Sequence, residues 1–149
     1  SDRLTVRERP EPIIKQRLED PMAWREKKSE RVYTEQEIAQ KLAESLPQWT
    51  FQDGWIRRKY KTSGWKGTMM AVNVIGHLAE AAWHHPDLNV SYAFVTVKLQ
   101  NHAAKGITDK DFELARKIED VMMWNPGPDD ASALEGTPED PRFKYLKYE

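Results

Sequence analysis

The stretch Glu80–His102, EAAWHHPDLNVSYAFVTVKLQNH, runs from the end of a predicted helix through the whole of the predicted strand that follows it. The chain contains four histidines, and three of them, His84, His85 and His102, fall inside this stretch. The segment SYAFVTVKLQ alternates in character, with Ala93, Val95, Val97 and Leu99 on one face and Tyr92, Phe94, Thr96 and Lys98 on the other. This period of two predicts a half-buried strand that leads directly to His102.

An amphipathic helix is predicted immediately before this strand, over residues 66–83. Its apolar side chains recur at three- and four-residue spacing and form a stripe of Ala71, Val74, Ile75, Leu78 and Ala82. Pro86 disfavours helical geometry for His85, so we expect the helix to end at about His84. The two adjacent imidazoles are then free to point in different directions and to line one pocket.

The flanking sequence adds further elements. Thr34 and Glu37 form a capping box before a helix with Ile38, Leu42, Ala43 and Leu46 on one face, which ends near Pro47. Asp53-Gly54 predicts a hairpin between two short strands. Thr108 caps a last helix, whose predicted apolar positions are Phe112, Ala115, Ile118 and Met122. This order predicts an α+β domain with helices packed on one face of an antiparallel sheet.

Two extensions flank the predicted domain of residues 33–124. Residues 1–32 carry dense mixed charge and prolines, with Ile13, Ile14 and Trp24 as the side chains available to anchor them. Residues 125–149 are rich in proline and glycine and end on an aromatic cluster of Phe143, Tyr145 and Tyr148, which we expect to lie against the body of the domain.

Composition excludes several functional classes. The 149 residues carry 23 basic and 24 acidic side chains, and a net charge of -1 gives no reason to expect nucleic acid as a partner. The chain has no cysteine, which excludes disulfides and thiolate chemistry and is compatible with the cytoplasm. No segment approaches the roughly 18 apolar residues of a membrane span, so we expect no membrane partner.

Glu80 and the histidines are the candidate functional residues. Asn73, His77, Glu80 and His84 share one helical stripe, which makes Glu80 and His84 neighbours. His102 lies at a strand-to-loop junction, where rigid scaffolds present functional groups. Converging imidazoles with a carboxylate suit a proton-transfer reaction that needs both an acid and a base.

Three alternative interpretations remain open at this point. A Glu/His pair one turn apart is commonly a solvated helix-face interaction. Glu80, His84 and His102 are also possible metal ligands, although their spacing matches no zinc signature. Asp111 follows Thr108 by three residues, where a carboxylate is expected for helix capping alone. His77 is predicted to be exposed and without a role.

The complete pattern resembles the signature of pterin-4a-carbinolamine dehydratases. It comprises Glu80-x-x-x-His84-His85-Pro86 followed by Tyr92, His102 and Asp111 at the family's spacing, and the resemblance spans roughly residues 33–124. It implies a four-stranded antiparallel sheet with three helices on one face, assembled as a homodimer or homotetramer. It also implies dehydration of 4a-hydroxytetrahydropterin to quinonoid dihydropterin without a metal or other cofactor, a step in tetrahydrobiopterin recycling.

The resemblance also implies roles for individual residues. His84, His85 and His102 are the acid/base set, with His85 and His102 nearest the proton transfers, and Asp111 is a supporting residue near His102. Glu80 anchors the pterin or orients His84. The substrate-binding positions implied are Glu80, Pro86, Asn101 and Ala103.

The resemblance leaves a second function open. Members of this fold also serve as non-enzymatic binding proteins, including a dimerisation cofactor and Rubisco assembly factors, and the two extensions are possible contacts for a protein partner. The chain departs from animal members at Leu88, where they have tryptophan, and in the sequence AAKG after His102, where their turn is more polar.

Overall fold

The computed structural model describes residues 31–149, which form an α+β domain. Its elements are α1 (Glu35–Ser45), β1 (Thr50–Gln52), β2 (Trp55–Lys61), α2 (Trp65–Ala82), β3 (Asp87–Ser91), β4 (Phe94–Leu99) and α3 (Asp109–Met122). The four strands form one antiparallel sheet in the order β1-β2-β4-β3. The predicted fold class is confirmed. The predicted N-terminal extension, with its proposed anchors Ile13, Ile14 and Trp24, lies outside the described residues, apart from its last two positions.

Local signals determine where α1 and the first hairpin begin and end. The Thr34 hydroxyl accepts a hydrogen bond from the Glu37 amide at 3.2 Å, and the Glu37 carboxylate accepts one from the Thr34 amide at 3.1 Å. Asp53 and Gly54 both adopt positive φ, at 54° and 86°, as a two-residue type I′ turn requires. The capping box and the hairpin are therefore confirmed.

The buried face of the sheet faces the helices. Ile56 pairs with Leu99 and Tyr60 with Val95 in register, and all four side chains are almost completely buried. The alternate positions along the same strands, such as Lys59, are more exposed. The sheet therefore has one covered face, against which α1, α2 and α3 pack.

The buried face of α2 is rotated relative to the predicted stripe. Ala71 and Ile75 are buried as expected, but Val74 is 37% exposed and Ala82 is also exposed. The buried row instead continues through Gly67 and Ala79, which follow a strict four-residue spacing with Ala71 and Ile75. The predicted stripe therefore combined two residues of the buried row with residues that are more exposed. In α1, the predicted apolar position Ala43 is likewise exposed.

The predicted strand over residues 91–100 is in fact the second half of a hairpin. β3 covers Asp87–Ser91, and Tyr92 and Ala93 form the turn before β4. In β3 only Leu88 is half-buried, so the strand lacks the apolar alternation that reveals β4. Tyr92 and Ala93 were therefore wrongly placed within a strand.

A buried polar network connects β2 with α3. The Glu119 carboxylate accepts hydrogen bonds from Arg58 at 3.1 Å, from the Trp49 indole at 3.1 Å and from the Tyr60 hydroxyl at 2.5 Å. Burial alone would raise the pKa of Glu119, but these bonds and the Arg58 charge outweigh it and hold the pKa below its ordinary value. Burial and the bond to Glu119 raise the pKa of Tyr60.

The C-terminal extension (residues 125–149) joins the sheet. Leu146 forms an antiparallel bridge with Thr62, and flanking backbone bonds run from the Ser63 amide to the Tyr145 carbonyl and from the Lys147 amide to the Lys61 carbonyl. Leu146 is 8% exposed, and a Cβ at Gly67 would lie 2.5 Å from the Tyr145 carbonyl oxygen. Glycine at this position of α2 therefore allows the extension to approach closely.

The predicted aromatic anchoring of the extension is only partly right. Tyr145 packs against the core, but Phe143 is 54% exposed and Tyr148 is 42% exposed. Leu146, which the sequence analysis did not single out, is the most deeply buried side chain of the extension. Among the helices of residues 31–149, none combines the length and apolarity that a bilayer crossing requires.

Candidate active site at one end of the sheet

His84 is held by a buried carboxylate. Its Nε2 lies 2.6 Å from Asp111 Oδ1, and the two side chains are 13% and 0% exposed. Asp111 is fixed in turn because its Oδ2 accepts the Thr108 amide at 2.9 Å, as the third residue of a capping box. An ionised carboxylate only accepts hydrogen bonds, so His84 must carry a proton on Nε2. Asp111 therefore defines both the orientation and the tautomer of His84.

This pairing differs from the expected one. The resemblance implied that Asp111 supports His102, whereas the carboxylate bonds to His84. The capping role expected for Asp111 from its spacing is also present, because one oxygen caps α3 and the other holds the imidazole. A single buried side chain thus connects the start of α3 with the end of α2.

His85 pairs with Glu80 at the protein surface. His85 Nε2 lies 2.8 Å from Glu80 Oε1, with side chains 53% and 66% exposed. The sequence analysis made Glu80 the neighbour of His84, on the assumption that the helix continues. The helix instead ends at Ala82, and Trp83 adopts left-handed backbone angles of φ 52° and ψ 44°. This reversal brings His85, rather than His84, back to Glu80.

His102 follows β4 and is exposed. Gln100 Nε2 lies 3.1 Å from His102 Nδ1, and since an amide nitrogen only donates, Nδ1 is the acceptor. The Trp55 ring contacts the imidazole edge-to-face, with centroids 5.5 Å apart, and Lys98 Nζ lies 4.6 Å from the centre of the same indole. Since Nδ1 accepts the bond from Gln100, the neutral imidazole of His102 carries its proton on Nε2.

The sheet topology brings the three histidines to the same end of the domain. β3 begins directly after His85 and Pro86, and β4 ends directly before the loop that carries His102. The two strands are antiparallel neighbours, with Asp87 opposite Lys98. Paired strands lie about 4.8 Å apart. The start of β3 and the end of β4 are thus adjacent, and two imidazole–carboxylate pairs and a third imidazole gather there.

The remaining predicted site residues occupy different environments. Asn101 is 6% exposed, and its Oδ1 accepts the Ala104 amide at 3.1 Å, so its side chain helps to close the loop after β4. Ala103 is exposed and Pro86 is half-buried. His77 is exposed on α2, as predicted.

A metal centre gains no support from this geometry. Within residues 31–149, no group of three or more histidine, aspartate or glutamate side chains is placed to hold a metal ion. The three suggested ligands also have different partners, because Glu80 contacts His85, His84 contacts Asp111 and His102 contacts Gln100. The arrangement suits proton transfer by imidazoles.

Cavity size alone does not locate the site. A hollow of about 460 Å³ between α2 and α3 includes His84 in its wall. A larger one, of about 780 Å³, is lined mainly by the C-terminal extension and includes none of the histidines. The paired titratable groups, rather than the volume, therefore define the candidate site.

Two aromatic side chains at the site were missed by the sequence analysis. Trp83 contacts His85 edge-to-face at a centroid distance of 5.1 Å, and Trp55 contacts His102. The direct succession of Trp83, His84 and His85 was the available signal for the first. The contact of Trp55 depends on strand pairing across the sheet and has no local signal.

The fold and the histidine set define an α+β domain equipped for acid/base chemistry. The family model described as Pterin 4 alpha carbinolamine dehydratase matches residues 31–121. The chain belongs to this family. Residues 122–149 lie beyond the match.

Similar proteins support the same assignment. A protein of Aquifex aeolicus named "Putative pterin-4-alpha-carbinolamine dehydratase" is 45% identical over 92 residues, covering 62% of this chain and 92% of the relative. A Picosynechococcus protein of the same name is 43% identical over 82 residues, covering 55% of this chain and 88% of the relative. A solved structure, described as a transcriptional coactivator/pterin dehydratase from Brucella melitensis, superposes with a TM-score of 0.56 at 27% identity. It covers 61% of this chain and 98% of the Brucella chain.

Proposed function

We propose that this protein catalyses the dehydration of 4a-hydroxytetrahydropterin to quinonoid dihydropterin, as a step in tetrahydrobiopterin recycling in the cytoplasm. The observation that carries the proposal is the gathering of three imidazoles at one sheet end, with two of them paired to carboxylates. Family membership supports the pterin as substrate.

The chemistry requires one proton delivered and one removed. An acid protonates the 4a-hydroxyl, which leaves as water, and a base removes the proton from N5. The electron pair of the N5–H bond then forms the N5–C4a double bond. Imidazoles perform both steps well near neutral pH.

We assign the proton transfers to His85 and His102 and an orienting role to His84. His85 and His102 are exposed and accessible to a substrate, whereas His84 is 13% exposed and tied to Asp111. Glu80, which bonds to His85, would hold that imidazole or anchor the pterin. Pro86, Asn101 and Ala103 would form the nearby wall of the pocket. We place this catalytic domain at residues 33–124.

The decisive experiment compares His102→Ala with His77→Ala. His102→Ala is expected to keep the fold and lose about 10²–10⁴ in dehydration rate, because an acid/base group is removed. His77→Ala removes an exposed histidine of α2 and should retain full activity. Dehydration is followed by ultraviolet absorbance against the spontaneous reaction. Full activity in His102→Ala would refute the site.

A second candidate is a non-enzymatic binding protein, such as a Rubisco assembly factor or a dimerisation cofactor. The docked extension, all of which lies beyond the family match, favours it, since it adds a surface outside the matched domain. The name of the Brucella protein combines a transcriptional coactivator with a pterin dehydratase. Purified protein that fails to accelerate dehydration would favour this candidate.

We also propose that the protein assembles as a homodimer or homotetramer. Met70, Val74, Val121 and Trp124 are exposed apolar side chains around one shallow hollow between α2 and α3. A contiguous apolar surface of this kind is typical of an interface. Sedimentation velocity of the wild type and of Val74→Glu tests the assignment, and a monomeric wild type would contradict it.

A further inference from the structure

Trp83 occupies a backbone conformation that disfavours its own side chain. The Trp83 amide donates to the Glu80 carbonyl and the His84 amide to the Ala79 carbonyl, which is the Schellman arrangement at the end of a helix. The left-handed residue of this motif is usually glycine or asparagine. Within residues 31–149, the other non-glycine residues with positive φ are Asp53 and Lys105, so Trp83 is the bulkiest. A bulky residue there is a genuine outlier, and such strain concentrates at functional sites.

The indole of Trp83 contributes little to the core. It is 65% exposed, whereas Trp49 is 3% exposed and donates its indole N–H to Glu119. Trp49 therefore has the features of a structural tryptophan, and Trp83 does not. What Trp83 does contact is His85, at 5.1 Å between ring centroids and with the rings at 79° to each other.

We propose that Trp83 is a substrate-binding residue on which the planar pyrimidinone ring of the pterin stacks. The indole and the imidazole are neighbours, with ring centroids 5.1 Å apart, so a flat ligand held on the free face of the indole lies beside His85. Glu80 holds that imidazole in place from the last turn of α2. This inference rests on the proposed function.

The test measures binding and turnover in Trp83→Asn and Trp83→Phe. Asparagine suits the left-handed backbone and removes the ring, so we expect a higher melting temperature together with weaker binding. The Kd for 7,8-dihydrobiopterin, measured by calorimetry, should rise about two- to tenfold, the usual contribution of an aromatic contact. KM should change more than kcat. Trp83→Phe keeps an aromatic face and should retain most of the affinity.

Trp65→Asn is the matched control. Trp65 is another exposed tryptophan of the same helix, 55% exposed, at its first residue. It lies about 27 Å from Trp83 along the helix axis, at 1.5 Å per residue. This variant should bind and turn over like the wild type.

The possible outcomes separate the inference from the proposed function. A wild type that neither binds the dihydropterin nor accelerates dehydration would overturn both. A wild type that does so, with Trp83→Asn showing the same Kd and KM, would refute the role of Trp83 alone. A lower melting temperature in Trp83→Asn with an unchanged Kd would assign Trp83 a purely structural role, which also refutes the inference.

Discussion

Replacing Asp111 with asparagine should invert the tautomer of His84. The carboxylate accepts from both Thr108 and His84, through different oxygens. In Asp111→Asn, the amide oxygen remains the only group able to accept the Thr108 amide, so the amide nitrogen faces His84. That nitrogen only donates, which obliges Nε2 of His84 to accept and moves the imidazole proton to Nδ1.

The expected losses of stability follow from the hydrogen bonds that each substitution at Asp111 weakens or removes. Asp111→Asn replaces two charge-assisted bonds by neutral ones and should cost about 1–2 kcal/mol of unfolding free energy. Asp111→Ala leaves the Thr108 amide and the His84 imidazole unpaired in a buried site, and should cost about 3–5 kcal/mol. Because His84 has the proposed orienting role, Asp111→Asn should lower kcat/KM by about 10²-fold, the cost of a misplaced positioning group.

Three measurements check this prediction. Urea denaturation gives the stability loss, the dehydration assay gives kcat/KM, and the nitrogen-15 shifts of the His84 ring report the position of its proton. Asp120→Asn is the control, because Asp120 lies exposed on the same helix and pairs with Arg116. A kcat/KM within about threefold of the wild type, with the proton moved to Nδ1, would exclude His84 from the chemistry.

Further predictions concern the packing of the C-terminal extension and the buried network. Gly67→Ala should lower the unfolding free energy by about 1–3 kcal/mol, because its Cβ would meet the Tyr145 carbonyl at 2.5 Å. Gly76→Ala, on the same helix with nothing within 4 Å, should raise it by about 0.5–1 kcal/mol, and equal effects in urea denaturation would contradict this account. Glu119→Gln should cost about 3–5 kcal/mol at pH 7, since it leaves Arg58 buried without its counter-charge. The folded pKa of Glu119 lies below its ordinary 4.5, so its contribution is present above pH 4.5 and is lost as the pH falls through the folded value. The stability difference from the wild type should therefore narrow in acid, and a difference independent of pH would refute the assignment.

Local sequence signals predicted the parts of the fold that depend on neighbouring residues. The capping box of Thr34 and the turn at Asp53-Gly54 act over four residues or fewer, and both appear as expected. β3 was missed because an edge strand with one half-buried side chain, Leu88, has no apolar period to detect. The burial of Leu146 depends on pairing with Thr62, far away in sequence.

In the candidate site, local sequence signals pointed to the residues but not to their hydrogen-bond partners. Spacing and resemblance proposed the histidines as site residues, and Pro86 indicated that His84 and His85 need not point the same way. The partner of Glu80 was assigned incorrectly, because it depends on one left-handed residue, Trp83. Helical spacing places Glu80 beside His84 only while the helix continues, and this reversal gives Glu80 to His85 instead.

The docked C-terminal extension covers backbone at one edge of the sheet that β1 leaves unpaired. β1 is only three residues long and pairs with the first residues of β2, and Leu146 bridges to Thr62 where that pairing has ended. A chain shortened to the family match would leave the Lys61 carbonyl and the Ser63 amide unpaired beside the apolar site that Leu146 fills. Unpaired strand edges of this kind recruit other chains. The extension, although it lies beyond the family match, therefore covers backbone groups that would otherwise be open to strand addition.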